Sequence, residues 1–427
     1  VVTCDNGEGP DSILDGFTLS NGNAYEGGGM FNLDSNPTVT GCTFINNRAG
    51  TNGGGMFNRD SNPTVIGCMF FNNRASNYGG GMYNWNESPQ VTHCTFSCNW
   101  ADKYEGGGMY NRNSSPTLTH CTFDENSAYG AGGMYNMYSS PMLADCIFKD
   151  NRAQYDGGGI INNYGVPMMA NCIFSGNKAS MNNGRGGGMW NVNCDSIIIN
   201  CTFLENSAGE KGGGMVNWES DPKVTNCILW RDHPDEFFIY NGSHSFITYS
   251  CILGGWSGTG NIDTDPLFVD AMNGDVHLSF PSPCKDTGDN AAAGLPSKDF
   301  EGDPRVAFGT VDMGADEFHT HLYYTGDAAP GGKIEAKFVG LPGTTPVGLW
   351  LGSNVLDPPL PTMFGAWYIA PPWIGPITLG PIPSPKGVLV LPATVHREPP
   401  APYDIFMQAL IGLDPDSLTN LCVLEVR

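Results

Sequence analysis

The sequence predicts an all-β chain: a parallel β-helix of about ten coils, each built from three short strands, followed by a small C-terminal β-sandwich. Three observations predict it. A unit of roughly 26 residues recurs over much of the chain, the signature of a solenoid. Glycine is abundant, at 58 of 427 residues, while charged residues make up only 15%, a composition suited to strands joined by many tight turns. The apolar residues of each unit fall in short period-two stretches such as "CTF" and "TVT", too brief for a pair of helices.

The unit opens on a Gly-Gly-Met step (once Gly-Gly-Ile) at Met30, Met56, Met82, Met109, Met134, Ile160, Met189 and Met215. An asparagine follows two residues later each time, from Asn32 to Asn217. A cysteine recurs at Cys42, Cys68, Cys94, Cys121, Cys146, Cys172, Cys201, Cys227 and Cys251. Two residues after a cysteine stands Phe44, Phe70, Phe96, Phe123, Phe148, Phe174 or Phe203, with a further asparagine three residues on, from Asn47 to Asn206. The first strand is the "GMFN" step. A turn such as "LDSNP" leads to "TVT", then a one-residue bend, "CTF", and a loop such as "INNRAGTN".

The bend position holds Gly41, Gly67, His93, His120, Asp145, Asn171, Asn200 or Asn226, residue types that tolerate positive φ. His93 and His120 are therefore expected to shape the bend rather than to act as bases. Strands stacked about 4.8 Å apart would place like residues in columns. Alternation sends Val39, the cysteines and the phenylalanines inward. Thiols in that column are expected to stay reduced, because in-register side chains point the same way. Cys4, Cys98, Cys194, Cys284 and Cys422 lie off the column and are the better disulfide candidates. The glycines sit where the loop re-enters the coil, and a side chain there would crowd its neighbours. The asparagine after each phenylalanine is expected to close a turn and to stack as an amide ladder.

The paired "GGGM" and Phe-x-x-Asn motifs resemble the repeats of polymorphic outer-membrane proteins, where the first motif reads Gly-Gly-Ala followed by Ile, Leu or Val. The resemblance covers about residues 10–260 and implies a right-handed β-helix used for adhesion or surface display. The stretch "NIDTDPLFVDAMNGDVHLSFPSPCKDTGDN", with "DFEGDPRVAFGTVDMGADEF", resembles the choice-of-anchor Q module of secreted bacterial repeat proteins. That implies an extracellular or cell-surface location. The expected domains are thus 1–260 (coils), 261–318 (end cap) and 319–427. In the last, short apolar runs alternate with dense Pro and Gly, as in a small sandwich.

A net charge of −23 and a pI near 4.5 exclude a nucleic-acid partner. No apolar stretch approaches the roughly 20 residues of a membrane helix. No metal-ligand spacing or nucleophile motif emerges, and "GGGM" lacks the Lys-Ser/Thr of a phosphate loop. Asp34, Asp60, Glu87 and Asp124 lie in turns and loops rather than in one catalytic cluster. Arg48, Arg74, Arg152 and Lys178 share a loop column that reads as a solvated edge. No organic cofactor is expected. Asp263, Asp265 and Asp270, with other acids of the same stretch, are candidate calcium ligands, with turn-making hydrogen bonds as the competing reading.

One column stands out. Beside the methionines run Phe31, Phe57, Tyr83, Tyr110, Tyr135, Ile161, Trp190 and Val216. With methionine inside, these residues face outward, an aromatic stripe that is a candidate surface for ligand binding or assembly, with sugar rings or another protein as occupant. The chain opens "VVTC", partway through a coil, which suggests a trimmed form and head-to-tail pairing of copies into filaments. The favoured reading is a non-catalytic extracellular surface protein acting as adhesin, scaffold or filament subunit. The alternatives are a polysaccharide-degrading enzyme of the pectate-lyase type and a passive module that binds cell-surface glycans.

Overall fold

The computed structural model describes residues 1–318 except Asn241, Phe280 and Phe308, and beyond them the backbone of nine strands between His321 and Val426. Two compact units result: Val1–Pro266 with Asp286–Glu317, and Leu267–Lys285 with Phe318–Arg427.

The first unit is a parallel β-solenoid of ten coils. Each coil contributes one strand to each of three ten-stranded sheets, exemplified by Met56–Arg59, Thr64–Ile66 and Met69–Phe71. A fourth, eight-stranded sheet runs through what the sequence predicts to be a loop, in strands of two residues such as Arg74–Ala75. The register is the expected one. Met30 pairs with Met56, Met56 with Met82, Met82 with Met109 and so on to Met215, with Ile160 in its place.

Four left-handed residues turn each coil, not one. In the third coil they are Gly53 (φ 66°), Asp60 (φ 50°), Gly67 (φ 59°) and Asn72 (φ 52°). The predicted bend column has positive φ throughout, including His93 (φ 53°) and His120 (φ 52°), whose exposed rings stack 4.7 Å apart. One further corner is the expected glycine, as at Gly53, while at the other two Asp, Asn, Glu, Tyr and even Cys98 stand, and only the column as a whole betrays the conformation.

Inside the coil, the methionine, valine, cysteine and phenylalanine columns form one continuous core. The phenylalanine rings stack at 4.5 to 5.0 Å between centroids, with their planes nearly parallel. Each such pair contributes about 0.5–1.5 kcal/mol beyond its buried area. The column cysteines are free and buried, and burial pushes the Cys146, Cys172 and Cys201 thiols well above the ordinary range. The thiols donate to carbonyls, as Cys68 does to Ile66 at 3.4 Å. Off the column, Cys4, Cys98 and Cys194 are free thiols too, so no disulfide forms among these three. The Cys422 side chain lies outside the described residues.

Two amide ladders run through the core. The expected one links Asn47 through Asn206, each Nδ2 reaching the next Oδ1 at 2.9–3.0 Å and most also a phenylalanine carbonyl. The second, from Asn32 to Asn217, has the same Nδ2-to-Oδ1 pattern at 2.7–2.9 Å. It was visible in the sequence as a column but not as a ladder.

Residues 286–317 pack along the flank of the later coils. Asn171 donates to the Lys298 carbonyl (2.7 Å), Asn200 to that of Asp312 (2.9 Å), and Asn226 accepts from the Asp289 N–H (2.7 Å). The last three bends thus use Asn to hold this segment as well as to turn. Within the segment, buried Arg305 donates to the carbonyls of Asp312, Gly314 and Ala315.

The second unit pairs Phe268–Asp270 with Asp275–Leu278 and then forms antiparallel sheets of three, four and two strands. The side chains that would decide whether these sheets face each other as a sandwich lie outside the described residues. Among the described residues, no helix is long and apolar enough to cross a membrane.

Candidate functional site

The outer face of the first sheet concentrates the aromatic and charged side chains. Three columns build it. The residue before the glycines gives Glu26, Asn52, Tyr78, Glu105, Gly130, Asp156, Arg185 and Lys211. The residue after methionine gives the aromatic column. Two positions further on stand Leu33, Arg59, Trp85, Arg112, Met137, Asn163, Val192 and Trp218.

The aromatic column leaves the coil interior, as alternation requires, since it belongs to a cluster separate from the core. Its rings stack in one file: Phe31 on Phe57 at 5.5 Å, Phe57 on Tyr83 at 5.1 Å, Tyr83 on Tyr110 and Tyr110 on Tyr135 at 5.1 Å. The stripe is not open, however. Phe57 is 0% exposed and Tyr83 and Tyr110 are 3% exposed, with Phe31, Tyr135 and Trp190 half-buried. The flanking columns close over it. Tyr78 lies 4.7 Å from Tyr110, Met137 Sδ accepts from the Tyr110 hydroxyl at 3.4 Å, and Trp85 and Met137 pack alongside. Alternation assigns a side chain to a face, but not what its lateral neighbours do once there.

What the face shows to solvent is therefore its rim. The Arg59 guanidinium lies 4.8 Å over Trp85, and Trp218 is 37% exposed. Tyr138 and Tyr164 stack at 4.9 Å on the adjoining corner and are exposed. Further along, Arg185 makes a two-pronged ion pair with Asp156 (Nε–Oδ1 3.0 Å, second nitrogen to Oδ2 3.1 Å) and covers the Trp190 ring at 4.7 Å. Burial, then neighbouring hydroxyls and Glu105, push the Tyr110 phenol up; burial takes Tyr135 to about 12.

The predicted calcium ligands are dispersed in their bonding. Asp263 is exposed, and its Oδ1 accepts from the Gly254 N–H at 3.1 Å. Asp265 is exposed as well, within the solenoid unit. Asp270, in the other unit, accepts from Asn273 Nδ2 at 2.7 Å, a turn-closing bond.

A second group of interest ends the first amide ladder. Asp232 Oδ1 replaces an amide oxygen, accepting from Asn206 N (2.7 Å) and Nδ2 (2.9 Å). Its Oδ2, where an asparagine would carry donors, has no partner among the described residues. Burial, and then the adjacent Glu236 carboxylate, raise the Asp232 carboxyl far above its usual range, and burial raises Glu236 to about 7. The folded state thus holds protons that the unfolded chain releases above about pH 4. Stability is full below that pH and falls as the pH rises toward the folded values. Asp232→Asn supplies the missing donor without a charge. We expect the unfolding free energy of the variant to match the parent near pH 4 and to exceed it by about 2 kcal/mol at pH 8. Denaturant titrations at the two pH values check this.

Residues 6–131 and 72–203 match the family model described as right handed beta helix region. The chain carries a right-handed β-helix region. No curated protein and no solved structure matches it. In the β-helix so defined, the matched residues span the first through seventh glycine-methionine steps, and so include the whole stacked file from Phe31 to Tyr135.

Proposed function

We propose that this β-helix is a non-catalytic recognition scaffold, displayed outside the cell or on its surface, whose first-sheet outer face binds glycans. One observation carries the reading: the strands of that face keep register from coil to coil, so that its rings stack in file and Arg59 and Arg185 lie over neighbouring tryptophans, giving a ribbon of half-buried and exposed aromatic edges. Such a ribbon offers flat apolar surface to the faces of sugar rings, with Arg and Asn side chains at the rim for their hydroxyls. The likeness of the two repeat motifs to polymorphic outer-membrane proteins, and of residues 261–318 to a choice-of-anchor module, supports surface display. Calcium at Asp263, Asp265 or Asp270 would be an addition to this role, not its basis.

The test is retention on insoluble glycans, followed by measurement of polymer length. Retention should fall about fivefold in a Tyr164→Ala, Trp218→Ala double variant, with polymer length unchanged in the presence of calcium. Shortened polymer would point instead to an enzyme of the pectate-lyase type, and retention indifferent to the two substitutions would move binding away from this face.

Head-to-tail pairing rests on a different observation. In the first coil the core positions Val2, Leu14 and Leu19 are only half-buried, and Ile13 and Phe17 are 63% and 60% exposed. A further coil, of this chain or of a neighbouring copy, would cover that surface. Electron microscopy of the native protein distinguishes filaments from separate particles.

A further inference from the structure

The outer face contains one arrangement twice, once complete and once with a member missing. In the complete copy, Asp156 of one coil and Arg185 of the next stand in the same column, the residue before the glycines. The Arg185 guanidinium is held between the Asp156 carboxylate and the Trp190 ring of its own coil. Carboxylate, cation and aromatic ring form a closed set of charge and quadrupole.

Two coils earlier the same column holds Glu105, and the next coil holds Gly130, the two bridged in parallel register. The ring of that coil is Tyr135. Carboxylate and ring are thus present, and the position that would supply the cation has no side chain. Among the described residues, Glu105 takes part in no ion pair. It is half-buried nonetheless, and burial pushes its carboxyl up to about 7, as expected of a desolvated carboxylate without a counter-charge.

The surroundings are aromatic. Tyr110 and Tyr135 of the same two coils stack 5.1 Å apart in the aromatic column. Tyr104 and Tyr129, each directly preceding a member of the Glu105–Gly130 pair, are 44% and 42% exposed. A Cβ built on Gly130 would meet the Glu105 Cγ (3.3 Å) and Ile161 Cδ1 (3.4 Å), the movable parts of two side chains, and would touch the Asp156 carbonyl oxygen at an ordinary 3.8 Å.

We propose that Glu105, Tyr135 and the exposed Tyr104 and Tyr129 form a binding site for a guanidinium group of a partner molecule, seated over Gly130 where the protein's own arginine sits one repeat pair away. The ligand class follows from the internal template, since Arg185 shows which cation this column accepts. The site goes beyond glycan recognition and stands whether or not the rim takes sugars.

The probe is N-acetyl-arginine amide, with the neutral isostere N-acetyl-citrulline amide as control, followed by saturation-transfer NMR on the full chain. The arginine probe should bind saturably, with a Kd of roughly a millimolar, and the citrulline probe should bind at least about tenfold more weakly. Glu105→Gln should weaken arginine binding by about tenfold or more while leaving citrulline unaffected. Gly130→Arg places a guanidinium in the same register as Arg185 and should abolish probe binding. Gly130 has no left-handed backbone, so the change is conformationally permitted. If that variant fails to fold, Glu105→Gln carries the test alone. Equal binding of the two probes, unchanged arginine affinity in Glu105→Gln, or no saturable arginine binding up to about 50 mM would each overturn the assignment.

Discussion

Replacing Gly107 with alanine should cost about 3 kcal/mol or more, enough to open the middle of the solenoid. A Cβ at Gly107 would lie 2.5 Å from the Gly132 carbonyl oxygen and 2.6 Å from the backbone N and O of Ser127. All three are main-chain atoms of the stack, so relief requires moving a strand rather than a side chain. The same holds at Gly54, Gly80 and Gly187, which is why the glycine run is repeated so faithfully. A contrasting site is Gly67, where nothing lies within 4 Å of a Cβ and only the positive φ of 59° opposes substitution. Gly67→Ala should cost about 1 kcal/mol. Denaturant midpoints of the two variants, with proteolysis near residue 107 as a local probe, separate close backbone contact from conformational preference. Equal losses would show that φ alone accounts for the glycines.

Asn126→Leu should be comparably damaging, by about 4 kcal/mol, although leucine is apolar, similar in size and fully enclosed. Asn126 is buried, and its amide donates to the Phe96 carbonyl (2.8 Å) and to Asn151 Oδ1 (3.0 Å), while its oxygen accepts from Asn99 N and Nδ2. Removing it takes one bond from the Phe96 carbonyl and leaves the Asn99 N–H and one Asn99 Nδ2 hydrogen unpaired in the core, each worth about 1–3 kcal/mol if it finds no water, while the Asn151 oxygen keeps the backbone N–H of residue 126. The loss should exceed that of Phe123→Leu, which keeps most of the apolar volume. Chemical unfolding of the two variants side by side provides the comparison.

The repeat was legible because every inward column is nearly monotonous. Met, Cys, Phe and Asn recur at one spacing, and stacked parallel coils are the arrangement that rewards identity at that spacing. The bend column was legible for the same reason, its Gly, His, Asp and Asn sharing tolerance of positive φ. The fourth sheet was not, since two-residue strands such as Arg48–Ala49 carry no alternation to read. The aromatic stripe was half-read. Phe57 and Tyr110 do face away from the core, but their cover comes from Tyr78, Trp85 and Met137, whose positions vary in type from coil to coil. The Glu105–Gly130 arrangement escaped notice because it is a departure from Asp156–Arg185, and a missing side chain becomes visible only once the coils are superposed in register.

The most direct measurement of coil-to-coil register is a pair of long distances along one outward-facing column. Arg48, Arg152 and Ser207 occupy the same column of the fourth sheet, linked strand by strand through Arg74, Trp100, Ser127 and Lys178. Spin labels attached through keto amino acids, which spare the buried thiols, allow pulsed electron resonance between 48 and 152 and between 48 and 207. Stacking at strand spacing predicts about 19 Å and 29 Å, a difference of about 10 Å for two further coils. Two distances that fail to grow with coil number would contradict it.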